Sequence, residues 1–229
     1  MKAAWRVVLA VVLAACSDLS STGKGVVALR VLLPSPAAVE PGDTLPLQAQ
    51  ALDIDGDTIP GAEIFWRTPD TAALDMVDSV GLVTTALTTG TGRVQARVGS
   101  LFSDLQTLTI RRASDTLVLT GEAFDTVAAG DTASAPLEAA VLSLTPDTAG
   151  INNTRITFAL LDSLSGVHFA GDVAILGALT GPSGKPAQPV TLRRSGPAVL
   201  GTVRVALSAT RPSGTQVGSL NPVITITFQ

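Results

Sequence analysis

The chain has 229 residues, 46% hydrophobic and 15% charged, with a formal net charge of -4. This is no disordered polyelectrolyte, and an acidic balance argues against nucleic acid as the main partner. One His and one Cys exclude most zinc, haem and iron–sulfur sites and any disulfide within the chain, and 3% aromatics with no Tyr argue against a stacking surface for nucleic acid or sugar. No cofactor is expected.

The N-terminus opens with Lys2 and Arg6, followed by an apolar run from Val7 to Ala15. That run is shorter than the roughly 20 residues a membrane-spanning helix needs and suits the apolar core of an export signal. It closes on Leu13-Ala14-Ala15-Cys16, which resembles the lipobox of bacterial lipoproteins: a branched apolar residue, two small residues, then Cys. The resemblance implies that residues 1–15 are a signal peptide and that Cys16 carries the lipid as the first mature residue. An ordinary signal peptide with an incidental Cys is the alternative. A diacylglyceryl group, usually with an N-acyl chain, gives stable anchoring where a single chain is marginal. In the sorting rule of Gram-negative lipoproteins, Asp directly after the Cys retains the protein in the inner membrane. Here Ser17 follows Cys16 and Asp18 stands one place further on, which permits the outer membrane. Residues 16–25 are small, polar and Gly/Ser-rich and read as a tether.

From Val26 onward, short runs of Val, Leu, Ile and Thr alternate with Gly, Pro, Asp and Ser turns, and no helical stripe persists. The pattern is that of an all-β protein built as two tandem sandwiches, residues 26–111 and 113–229. Strands are expected over Leu29 to Leu33, Leu45 to Leu52, Glu63 to Trp66, Gly81 to Thr84, Gly92 to Val98 and Leu105 to Arg111. The ordered features Pro41-Gly42-Asp43-Thr44, Ile64-Phe65-Trp66-Arg67-Thr68-Pro69-Asp70, Gly81-Leu82-Val83-Thr84 and Gly90-Thr91-Gly92 resemble the bacterial Ig-like domain of group 2. The resemblance implies an Ig-like sandwich with Trp66 as its core Trp.

The second unit echoes the first. Gly130-Asp131-Thr132 repeats Gly42-Asp43-Thr44, Ile156-Thr157-Phe158 echoes Ile64-Phe65-Trp66, and Val203-Arg204-Val205-Ala206 echoes Val94-Gln95-Ala96-Arg97. Its stretch from Gly184 to Leu192, followed by Gly201 to Val205, is similar to the invasin-like group 1 pattern. The unit is longer, with room for an extra hairpin or a long loop around Ser163 to Ser183. Arg111 to Asp115 reads as a short junction that leaves the domains end to end with limited freedom.

Few residues offer chemistry. Asp53-Ile54-Asp55-Gly56-Asp57 has alternating carboxylates, but the EF-hand spacing fails, with Ile64 where the bidentate acid belongs; a turn is expected, with calcium as the alternative. His168 has no Cys or His partner and reads as a strand-edge residue. No Gly-x-Ser-x-Gly elbow appears. Arg111-Arg112 and Arg193-Arg194 are expected to solvate strand ends, with anionic lipid or lipopolysaccharide as the alternative. Asn152-Asn153-Thr154 matches a glycosylation sequon but reads as a turn. The expectation is therefore a lipid-anchored, non-catalytic envelope protein whose Ig-like modules bind, adhere or space, with a protein or surface-glycan partner. An accessory subunit of a larger membrane complex is the second class, and a secreted carbohydrate-active protein the third.

Overall fold

The computed structural model describes residues 25–218 and 221–229. The expected signal peptide, Cys16 and the expected tether up to residue 24 lie outside the described residues.

The first half holds β1 (Ala28–Leu32), β2 (Ala38–Val39), β3 (Leu45–Pro46), β4 (Gln48–Leu52), β5 (Phe65–Arg67), β6 (Asp75–Met76), β7 (Leu82–Thr84), β8 (Gly90–Val98), β9 (Leu101–Phe102) and β10 (Gln106–Ile110). One layer runs β1–β4 and, across a break at Leu47, β3–β7–β6; the other runs β2–β10–β8–β5, with β9 on β8. β3 and β4 are the single strand expected over Leu45 to Leu52. At the break the buried Leu47 donates its N–H to the Gly81 carbonyl at 2.7 Å. β2, β6 and β9, each two residues long, carry too little pattern to show as strands in the sequence.

Period-two alternation explains the layer contact. Along β8, Gly92, Val94 and Ala96 are buried while Arg93 and Arg97 face solvent. Trp66 is 6% exposed and packs in a core with Leu45, Leu74, Val83, Val94, Leu108 and Ile110. Gly81 has φ +127°, and a Cβ there would sit 2.9 Å from the Leu47 carbonyl and 3.0 Å from the Trp66 ring. The Gly of the Gly-Leu-Val-Thr segment is thus required both by backbone conformation and by the indole beside it.

The second half holds β11 (Thr116–Leu119), β12 (Phe124–Val127), β13 (Ala139–Ser143), β14 (Ala149–Gly150), β15 (Arg155–Leu160), β16 (Val167–His168), β17 (Ile175–Leu179), β18 (Arg193–Arg194), β19 (Gly201–Thr210) and β20 (Val223–Phe228). One layer contains β11–β13–β14; the other runs β12–β20–β19–β15–β17. The expected extra element around Ser163 to Ser183 is β16 and the added edge strand β17. The core is separate, built on Ile156, Phe158, Phe169, Leu207, Ile226 and Phe228. Among the described residues no strand of one half pairs with a strand of the other. The fold is all-β, two sandwiches in tandem.

Both halves share one plan. In each, the first strand pairs antiparallel in one layer, and the second crosses to pair parallel with the last strand: β2 with β10, β12 with β20. Trp66 lies opposite Ala96, and Phe158 opposite Leu207. That register corrects the sequence echo: Arg204-Val205-Ala206-Leu207 is the counterpart of Arg93-Val94-Gln95-Ala96, two places from the expected match. A two-residue slip keeps the inward and outward faces, so alternation alone could not detect it.

Candidate interface at the junction of the two sandwiches

The parallel ladder between β2 and β10 pairs Ala38 with Thr109 and Val39 with Ile110. The chain continues one residue beyond each strand, which brings Glu40 beside Arg111. The Glu40 side chain has no exposed surface. Its Oε1 accepts from Arg111 Nε at 2.9 Å, from Arg111 Nη2 at 2.7 Å and from the Ser114 hydroxyl at 2.8 Å. Its Oε2 accepts from the Ser114 N–H at 2.8 Å and lies 3.8 Å from Arg211 Nε of the second half. Arg211 Nε in turn donates to the Ser114 carbonyl at 3.1 Å. Arg111 extends its other nitrogen to the carbonyls of Asn152 and Asn153 at 2.9 and 3.2 Å. One carboxylate of the first half therefore holds the linker, and the linker's first arginine holds the second half.

A second contact lies beside it. Asp43, in the Gly42-Asp43-Thr44 turn, accepts a hydrogen bond from the Ser213 hydroxyl and one at 3.2 Å from Thr215. Arg112 pairs with Asp147 at 2.6 Å. Arg111 also lines a cleft of about 640 Å³, together with Pro36, Thr107, Thr109, Ile151 and Asn152 among others.

Arg111 and Arg194 are not strand-end solvators, as the sequence led us to expect. Arg111 is the junction's cation. Arg194, 3% exposed, donates from Nε to the Asp131 carbonyl at 2.7 Å and from Nη2 to Ala128 at 2.8 Å. Its Nη1 reaches Val199 and Gln229 at 3.1 Å each, and the guanidinium lies over the Phe228 ring. Five donors in a planar fork suit it to gather loop carbonyls at the base of the second sandwich. Arg193 is exposed, and Arg112 is half-buried in its pair with Asp147.

The acidic loop is a tight turn. Asp53 Oδ1 accepts the N–H groups of Asp55 and Asp57 at 3.0 and 2.9 Å, and Gly56 takes φ +84°. Among the described residues no three His, Cys, Asp or Glu side chains converge as a metal site. His168 Nε2 lies 2.9 Å from Asp172 Oδ1 across a surface turn. Asn153 adopts φ +59° in the turn between β14 and β15, where Asn tolerates the left-handed region. Cys16 lies outside the described residues, and among those described no helix is long and apolar enough to cross a membrane.

One ion pair recurs in both halves. Asp70 and Arg93 make three contacts: Arg93 Nε and N–H to Oδ2 at 2.9 and 2.8 Å, and Nη2 to Oδ1 at 2.8 Å. Asp162 and Arg204 make the same three at the same distances. Each Asp follows its core aromatic, Trp66 or Phe158, by four positions. The guanidinium beside each holds the carboxyl below the usual carboxylate range.

No family model matches the chain, and no curated protein sequence matches it. Among solved structures it is similar to domains 4 and 5 of the S-layer protein SbsC, at 15% identity and a TM-score of 0.31, covering 90% of this chain and 94% of that one. It is similar to the Yersinia pseudotuberculosis adhesin InvE at 18% identity and a TM-score of 0.35, covering 86% of this chain and 58% of that one. It is also similar to the fibronectin(III)-like modules of Clostridium thermocellum CbhA at 14% identity and a TM-score of 0.38, covering 87% and 94%. The strand pairing described above stands independently of these likenesses.

Sequence reasoning missed Glu40. Its signal was present, a carboxylate directly before Pro41-Gly42-Asp43, but a charge at a strand end ordinarily faces water. Only the parallel pairing of β2 with β10 brings it opposite Arg111.

Proposed function

We propose that the protein is a lipid-anchored component of the bacterial cell envelope, held by Cys16, and that its paired sandwiches act as a non-catalytic binding, adhesion or spacing module. The observation that carries this reading is the Glu40 junction. A buried carboxylate bonded to the linker, with Arg211 of the second half 3.8 Å away and Arg111 reaching the Asn152 carbonyl, ties the two sandwiches into one unit, which is what a module that presents a surface at a fixed place requires. Glu40 is the one buried carboxylate among the described residues, and its hydrogen bonds are spent on that junction. The anchor rests on the lipobox resemblance of Leu13-Ala14-Ala15-Cys16, and the outer-membrane location on Ser17.

Labelling cells with a clickable fatty acid tests the anchor. Wild type is expected to take the label and float with membranes, and Cys16→Ser to do neither, since Ser lacks the thiolate's nucleophilicity at neutral pH. Equal label on both would remove the lipoprotein reading. Purification from native membranes in mild detergent tests the module: free lipoprotein supports it, and a stoichiometric complex supports the accessory-subunit reading instead.

A further inference from the structure

The outer face of the first sandwich carries a cationic and aromatic patch. On β5, β8 and β9, Phe65 lies opposite Arg97, and Arg97 opposite Phe102. Two register steps along, on the same face, Arg67 lies opposite Gln95. The Arg67 guanidinium stacks 4.2 Å over the Phe102 ring while donating to Gln95 Oε1 at 2.8 Å, and Arg97 lies 5.6 Å over Phe65. Phe102 is 41% exposed. Among the described residues no carboxylate lies within ion-pair distance of Arg67 or Arg97, although the chain as a whole is acidic. Each guanidinium lies over a ring, and that of Arg67 is also fixed by its bonds to Gln95.

The complement of this patch sits on the same molecule. The turn from Asp53 to Asp57 carries Asp55 and Asp57, which meet no cation among the described residues, and between them and Asp53 the side chain of Ile54 is 75% exposed. Its backbone is fixed by the Asp53 carboxylate. Both features lie at one end of the sandwich. Ala28, where the described fold begins, pairs with Leu52 at the root of the acidic turn, and β1 lies against β9, which carries Phe102.

We propose that the acidic turn of one copy docks on the Arg67–Arg97–Phe65–Phe102 face of a second copy, with Asp55 and Asp57 meeting the two guanidiniums and Ile54 meeting the rings. Opposite charges at one end make the surface self-complementary, as a contact between identical chains requires. The lipid-anchor reading of Cys16 strengthens the contact without creating it. Twelve chain steps separate Cys16 from Ala28, each at most about 3.5 Å. Anchored neighbours would hold the Ala28 end of the sandwich within about 40 Å of the bilayer, at high effective concentration.

The test is a charge exchange on the full chain carrying Cys16→Ser, so that it does not depend on acylation. Two variants are made, Asp55→Lys/Asp57→Lys and Arg67→Glu/Arg97→Glu, and sedimentation velocity is run at low salt on each alone and on their equimolar mixture. Unaltered circular dichroism and Trp fluorescence show that both fold, since all four side chains are on the surface. The parent is expected to associate, with association falling at least tenfold in 0.5 M salt. Each variant alone is expected to stay monomeric, and the mixture to regain association. A parent that stays monomeric at millimolar concentration, or variants that associate as the parent does, overturns the proposal. So does a patch variant whose only loss is binding to phosphatidylglycerol vesicles, which would make anionic lipid the occupant.

Discussion

Glu40 and Ser114 stand 74 positions apart, yet the carboxylate of one takes both the backbone N–H and the hydroxyl of the other at 2.8 Å. These bonds fix the linker at the point where the chain passes from the first core to the second. Removing one member of a buried ion pair typically costs about 3–5 kcal/mol, because the partner charge stays buried without compensation. Glu40→Ala leaves Arg111, itself 13% exposed, in that position. The expected outcome is a loss of about 3–5 kcal/mol in urea unfolding, with new protease cleavage between Arg111 and Asp115. A variant that unfolds and resists protease as wild type does would show that the junction is held elsewhere.

Trp66 fills the centre of the first core. Truncating such a residue costs about 3–5 kcal/mol against a typical domain stability of about 5–15 kcal/mol. Trp66→Ala is expected to unfold the first half or leave it marginal while the second keeps its own transition. Trp66 is the only Trp among the described residues, so wild-type emission should be blue-shifted and poorly quenched by iodide in the Cys16-processed protein. Gly81→Ala should damage the same core, since a Cβ there meets the Leu47 carbonyl and the indole. Free quenching of Trp66 would contradict its place in the core.

How much of this was legible in the sequence depends on the range of the interaction. The Asp53 turn and the long strands follow from local alternation and turn residues, and the core place of Trp66 from the group 2 Ig-like resemblance. The repeat was visible too, yet its register was not: Arg204 matches Arg93, and only the pairing of Phe158 with Leu207 shows it. The surface patch was invisible because Phe65, Arg97 and Phe102 come from three strands. Arg194 reads as an ordinary surface cation until the carbonyls of Asp131, Val199 and Gln229 surround it.

Arg194 itself is open to test. Arg194→Met keeps much of the stem's volume and leaves buried carbonyls without donors, at about 1–3 kcal/mol for each one orphaned. The second half is expected to lose several kcal/mol in total by that reckoning, with the first half's transition unchanged. Arg194→Lys should restore only part of the loss, because an ammonium cannot span the same fork of acceptors. Full stability in Arg194→Met would show the guanidinium to be dispensable.

Acid acts through the repeated ion pairs. Asp70 and Asp162 have pKa values lowered in the folded state, chiefly by the side-chain hydrogen bonds from Arg93 and Arg204. A lowered pKa contributes stability that is present above the unfolded value, about 3.9, and is lost as pH falls through the folded value. Both carboxylates are solvent-accessible, so the effect is screened by salt. Wild type is expected to lose stability more steeply below about pH 4 than Asp70→Asn/Asp162→Asn. Parallel pH profiles would remove these pairs from the acid response.

The central claim is that Glu40 makes two sandwiches one presenting unit, and backbone 15N relaxation on the full chain carrying Cys16→Ser tests it most directly. The account predicts one rotational correlation time shared by amides of both cores, such as Val94 and Val205, and two distinct times in Glu40→Ala. Two distinct times in the protein that retains Glu40 would contradict it.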